Sequence, residues 1–172
     1  AATVNVWNTT GCFDGTVPFV TSASAGTEAE LSILRSSLGN PNEFNLAFKG
    51  ENSGDLYPDG SDAGQYFHYT FGTPISELPT GMLQSLSNPV ADGGIAINGN
   101  LSDWAAVTPF MADAAGDGGG CQDWVQVWDA HGGTRVYLRF KRADSGLPLT
   151  SAGYWGLIDT DRTTTTGLQV TA

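Results

Sequence analysis

The chain has 172 residues, and its 7 Lys and Arg against 18 Asp and Glu give a formal charge of −11. That balance argues against a nucleic-acid partner, since affinity for phosphate backbones needs clustered cations, and against a basic helix lying on a membrane surface. Hydrophobic residues make up 40% of the chain, enough for a core, but no run approaches the roughly 18 apolar residues that span a bilayer.

Length suits one domain or two small ones. The opening Ala1-Ala2-Thr3 reads as a mature chain whose secretory leader was removed after a small residue, which places the protein outside the cell or on its surface. Cys12 and Cys121 form an even pair with no CxxC spacing and no His set for zinc. They read as a disulfide, the alternative being two buried thiols; a bridge closing so long a loop contributes about 4 kcal/mol.

In chain order, Thr3 to Trp7 alternates as a strand and Thr16 to Thr21 carries Val, Phe and Val. The stretch Thr27 to Leu38 predicts a helix, with Glu28 and Glu30 in the first turn, Leu31, Leu34 and Leu38 on one face, and Gly39 as the stop. Glu43 to Lys49 puts Phe44, Leu46 and Phe48 on one side of a strand. Gln65 to Phe71 sets Tyr66, His68 and Thr70 against Phe67, Tyr69 and Phe71, so both faces of that strand should be covered. Ser76 to Leu86 is a second helix candidate, broken by Pro79. Asp123 to Trp128 and Thr134 to Lys141 flank the turn Asp129-Ala130-His131-Gly132-Gly133 as a hairpin, and Gly153 to Asp159 is a last strand. The fold class is therefore all-β: an antiparallel sandwich of jelly-roll or immunoglobulin-like type with one or two short helices.

Asn88 to Gly94, rich in Gly and turn formers, divides the chain into residues 1–92, a β-rich region expected to pack into the same sandwich, and residues 93–172. Asp55 to Asp62 is acidic but lacks the D-x-D-x-D-G spacing of a calcium loop and reads as a surface turn. Thr163 to Thr166 reads as a polar loop, and Asn8 and Asn100 sit in N-x-[ST] sequons.

The second region carries Ile95-Ala96-Ile97-Asn98-Gly99-Asn100-Leu101-Ser102-Asp103-Trp104, then Gln122-Asp123-Trp124, Val136-Tyr137-Leu138-Arg139-Phe140 and Leu157-Ile158-Asp159-Thr160-Asp161. Over about residues 95 to 167 this resembles the family-9 carbohydrate-binding modules and the related DOMON-like secreted sandwich domains, whose pattern is roughly I-D-G-x-L-S-D-W, a D-W strand, a V-Y-L-x-F strand and a D-T-D turn. Asn98 departs from the pattern, which has Asp there. Only 78 residues run from Ile95 to the end, fewer than such a sandwich needs, so strands from the first region or from another chain must complete it, or the chain was cut.

The resemblance implies calcium, with acids at its motif positions among the ligands. Asp103, Asp113, Asp117 and Asp123 surround the Gly-rich stretch 116–120, and Asp159 and Asp161 lie on a later turn; a hard divalent cation takes six to eight oxygens and relieves carboxylate repulsion. The alternative is a set of solvated loop acids.

Alternation over Asp123 to Asp129 puts Trp124, Gln126 and Trp128 on one face. The neighbouring strand adds Arg135, Tyr137 and Arg139, with Lys141. Residues four apart on a strand are roughly 13 Å apart, a spacing suited to stacking on sugar rings. The alternative is that both tryptophans are core.

Catalysis has little support. His68 and His131 have no G-x-S-x-G nearby, and 18 acids always allow some carboxylate pair. His68 with Met82 or Met111 could serve haem, but a core histidine beside Tyr66 is the plainer reading.

Two functions follow. One is a secreted, non-catalytic carbohydrate-binding or adhesion module stabilised by calcium, whose partner is a polysaccharide or glycan. The other is a structural subunit of an extracellular fibre or surface assembly, completed by strand exchange between chains at open sheet edges.

Overall fold

A computed structural model describes residues 4–7, 13–17, 21–50, 56–57, 65–116, 123–143, 154–160 and 162, with the backbone alone for 4–7, 13–17, 49–50, 56–57 and 154–157. Among the described residues there are twelve strands: β1 (Val4–Trp7), β2 (Phe13–Val17), β3 (Thr21–Ala25), β4 (Glu28–Leu34), β5 (Glu43–Gly50), β6 (Leu56–Tyr57), β7 (Tyr66–Thr70), β8 (Met82–Leu86), β9 (Met111–Ala112), β10 (Trp124–His131), β11 (Arg135–Arg142) and β12 (Tyr154–Asp159). The first sheet runs β3-β4-β11-β10-β9 and the second β12-β5-β7-β8, with β6 on β5. Pairing is antiparallel except between β7 and β8, and β1 and β2 form a hairpin of their own. The protein is an all-β sandwich.

Each sheet takes strands from both sides of residues 88–94: β4 pairs with β11, and β5 with β12. Strands of the first region thus supply what the stretch after Ile95 lacks.

The helix expected over Thr27 to Leu38 is instead β4 followed by a 3-10 turn, Arg35–Leu38. Ala29, Leu31 and Ile33 alternate toward the second sheet while Glu30 and Ser32 turn the other way, and pairing on both sides by β3 and β11 outweighs the helix propensity of Glu, Ala and Leu. The turn stops at Gly39, whose φ of 81° lies in the left-handed region that glycine enters without strain. The second helix candidate is loop up to Gly81 and then the edge strand β8. Among the described residues the helical elements are two four-residue 3-10 turns, Arg35–Leu38 at the end of the first helix candidate and Leu101–Trp104, where no helix was expected.

Between the sheets lie Phe44, Leu46 and Phe48 of β5, Phe67 and Tyr69 of β7, and Phe110, Trp124, Val127 and Val136. Each such side chain contributes about 1.5–3 kcal/mol when fully buried. The β10–β11 hairpin closes over Gly132, where a Cβ would collide with the Asp92 carboxylate that accepts the Thr134 N–H.

Candidate functional site

The stretch that carries the resemblance is a plug. Ile95, Trp104 and Val107 cover Trp128, Ala130 and Tyr137 on the outer face of the first sheet. Its anchor is Glu30 of β4, which has no solvent exposure. Glu30 Oε1 accepts the N–H groups of Asn98 at 2.7 Å and Gly99 at 2.6 Å, and Oε2 accepts the Trp104 indole N–H at 3.0 Å. Three convergent donors satisfy a carboxylate that would otherwise be costly to bury. Within the plug, Asn98 Oδ1 accepts the Asn100 N–H at 2.7 Å, Asn100 Oδ1 accepts the Ser102 N–H, and Asp103 Oδ2 accepts the Ala96 N–H at 3.0 Å. Asp103, expected among the metal ligands, thus holds the two ends of the motif together.

The expected tryptophan platform is corrected by one residue. The β10–β11 register shifts between Trp124 and Gln126, a bulge at Val125 that turns Trp124 to the opposite face from Trp128. Trp124 is 2% exposed, packed on Phe48 and Phe140 between the sheets. Trp128 is 7% exposed beneath the plug, with the Arg139 guanidinium 4.0 Å from its ring centre. Neither ring presents a face for sugar stacking. Tyr137 is buried beside Trp128, while Gln126, Arg135 and Arg139 remain half-buried. Arg139 forks onto Glu28 Oε2 at 2.8 and 2.5 Å, with Lys141 4.0 Å from the other oxygen.

The acids fall into separate places. Asp123 is 3% exposed; its Oδ2 accepts the Gly116 N–H at 2.6 Å, and its Oδ1 is buried without a hydrogen-bond partner. Asp113 donates its N–H to Val125 O and accepts the Ala114 N–H. Asp159 is on the second sheet, where it accepts from Asn45 Nδ2 and the Arg162 N–H. Among the described residues no three His, Cys, Asp or Glu side chains gather as a metal site. Asp117, Asp161, Cys12 and Cys121 lie outside the described residues.

Two buried polar clusters were not singled out from the sequence. On the outer face of the second sheet, His68 has no exposure; its Nδ1 is 2.9 Å from Ser85 Oγ and its Nε2 3.0 Å from Glu43 Oε2, and Arg162 pairs with Glu43. Ser85 Oγ also accepts the Ile75 N–H. These are the parts of a proton relay, but the ring is sealed and the hydroxyl is engaged, so the set braces β5, β7 and β8.

Between the sheets, the Tyr69 hydroxyl is 2.7 Å from His131 Nδ1 and accepts the Asn88 N–H. Asn88 Nδ2 donates to the Asp129 carbonyl. The Asp129 carboxyl is fully enclosed and neither oxygen meets a partner in hydrogen-bonding geometry. Burial raises it well above the carboxylate range, which the Ala130 amide offsets only in part. Burial also raises the Tyr69 hydroxyl, with Asp129 adding to the effect, and lowers His131, helped by Arg35. Alternation in Gln65 to Phe71 marked Tyr69 as core, but nothing local marked Asp129, because its neighbours come from β7 and the 88 loop.

The fold and these sites define an all-β sandwich module with one sealed face. Comparison with protein-family models, with curated proteins and with solved structures finds no match for the chain.

Proposed function

We propose that the chain is a non-catalytic module of an extracellular assembly that joins a second copy of itself by strand addition at the β8 edge. The observation that carries this reading is the placement of Leu78 and Leu83, the exposed large hydrophobics among the described residues at 45% and 43%. Leu83 is on β8 and Leu78 just ahead of it. Met82–Leu86 contains no charge and no proline, the devices that keep edge strands single. Copies of charge −11 repel one another, so association strengthens as salt screens them. Size-exclusion chromatography with light scattering, over protein and salt concentration, tests this. Growth in mass with both, and its loss in Leu83→Lys with an unchanged melt, is expected. A monomer throughout overturns it.

A second reading, the calcium-stabilised carbohydrate-binding or adhesion module that the resemblance implies, is favoured by the buried Asp123 Oδ1, which meets no hydrogen-bond partner among the described residues. A hard cation suits that oxygen, and Asp123 would be one of its ligands, acting on stability alone. Its glycan would meet the polar strip of Gln126, Arg139 and Lys141, without Trp124. On this reading chelation lowers the melting temperature by several degrees, because the ion binds only the folded state, and the protein is retained on a polysaccharide affinity gel. An unmoved melt in excess chelator removes the calcium, and absence of retention removes the glycan.

A further inference from the structure

Asn98-Gly99 is the only Asn-Gly step in the chain. Such a step can close on itself: the glycine nitrogen, unhindered by a side chain, attacks the asparagine amide carbon. In the plug both reacting groups are already engaged. The attacking nitrogen, Gly99 N–H, is 2.6 Å from Glu30 Oε1, and the oxygen that takes up charge, Asn98 Oδ1, accepts the Asn100 N–H at 2.7 Å. Asn98 itself is exposed, so ammonia can leave and water can enter.

We propose that Asn98 is a self-modification site, converted in the folded protein to aspartate and isoaspartate with Glu30 as the base. Glu30 takes the Gly99 amide proton as the nitrogen bonds to Asn98 Cγ, and the Asn100 N–H holds the oxyanion that forms on Oδ1. Glu30 returns the proton to the side-chain nitrogen, the Cγ–Nδ2 bond breaks, and ammonia departs, leaving a five-membered succinimide. Water then opens the ring at one carbonyl or the other. The balance is one water consumed and one ammonia released, with no change in oxidation state.

The two products differ in what they do to the plug. Aspartate keeps an oxygen for the Asn100 N–H and leaves the backbone unchanged. Isoaspartate adds a carbon to the main chain between the two amides that Glu30 holds, so those bonds cannot both persist and the seat of Trp104 loosens.

The test compares the folded protein with the same chain unfolded in guanidinium, both held at neutral pH and sampled over time. Peptide mass spectrometry of the 95–104 segment follows conversion. Conversion at Asn98 is expected to be about tenfold faster folded than unfolded, a small part of what a placed acid or base supplies. An equal or slower folded rate means that the rigidity of the loop dominates, and it overturns the proposal. The pH profile isolates Glu30: unfolded conversion follows hydroxide concentration, whereas the folded rate is expected to depend on pH more weakly. A folded rate that also tracks hydroxide overturns the role of Glu30 without needing a variant. Glu30→Gln, where it folds, is expected to bring the folded rate down to the unfolded one or below; a rate unchanged from the parent counts against Glu30 in the same way.

Discussion

The first sheet buries a carboxylate on each of its faces, and the two are solved differently. Glu30, on the outer face, collects three N–H donors from a loop almost seventy residues away. Asp129, on the inner face two strands over, meets none in hydrogen-bonding geometry among the described residues, and burial shifts it toward its protonated form. One carboxylate organises its surroundings by accepting bonds; for the other, burial favours the uncharged form. Burial alone therefore says little about what an acid contributes, since the number of converging donors decides the sign.

The largest effect expected from this comparison is at Glu30. Glu30→Ala leaves three donors without acceptors under the plug, at about 1–3 kcal/mol each, and should lower stability by about 4 kcal/mol in denaturant titration. A loss under about 1 kcal/mol would mean that the plug does not depend on its anchor. Trp104→Phe keeps a ring beneath the plug but removes one donor and some volume, at an expected cost of about 2 kcal/mol.

Asp129→Asn reverses the sign. At pH 8 the substitution should stabilise the protein by about 1 kcal/mol or more, because the unfolded aspartic acid gains by ionising and the buried one does not. The pH profile sharpens the point. Asp129 is raised in the folded state, so its contribution is intact below the ordinary value of 3.8 and is lost as pH rises toward the folded value. His131 is lowered, so its contribution is intact above 6.5 and is lost as pH falls toward its own folded value. Between those ordinary values the two oppose one another; above 6.5 only the Asp129 loss continues. Thermal melts from pH 6.5 to 8.5 should thus fall in the parent protein and flatten in Asp129→Asn. Equal slopes in the two would show that Asp129 ionises in place.

The smallest effect concerns His131 alone. His131→Gln should reduce the loss of stability on going from pH 6.5 to 5, at a cost of about 1 kcal/mol at neutral pH for the lost contact with Tyr69. Chemical denaturation at the two pH values measures both quantities.

Much of the sandwich is legible locally. Phe44, Leu46 and Phe48 share one side of a strand and form β5, and the expected hairpin forms, although Asp129, Ala130 and His131, read as turn, extend β10 and leave the turn at Gly132-Gly133. What escapes local reading depends on residues distant in the chain. β4 has the composition of a helix and becomes a strand because β3 and β11 pair on its two sides. Trp124 changes face because a single extra residue, Val125, interrupts the register. Strict alternation cannot show this, since a bulge has no marker of its own in Asp123-Trp124-Val125-Gln126. The motif around Asn98 and Asp103 was visible as a pattern, but its anchor was not, because Glu30 belongs to a segment that reads as a helix start.

The order in which the strands occur along the chain has a consequence for biosynthesis. β4 waits for β11 and β5 waits for β12, so the first sheet is not whole until Arg135–Arg142 has emerged and the second not until Tyr154–Asp159 has. Through most of translation the long apolar strand at Glu43–Gly50 has one flank bare. A product terminated before Tyr154 lacks the strand that covers this flank of β5, and such an open edge is the kind that favours aggregation over a smaller stable form.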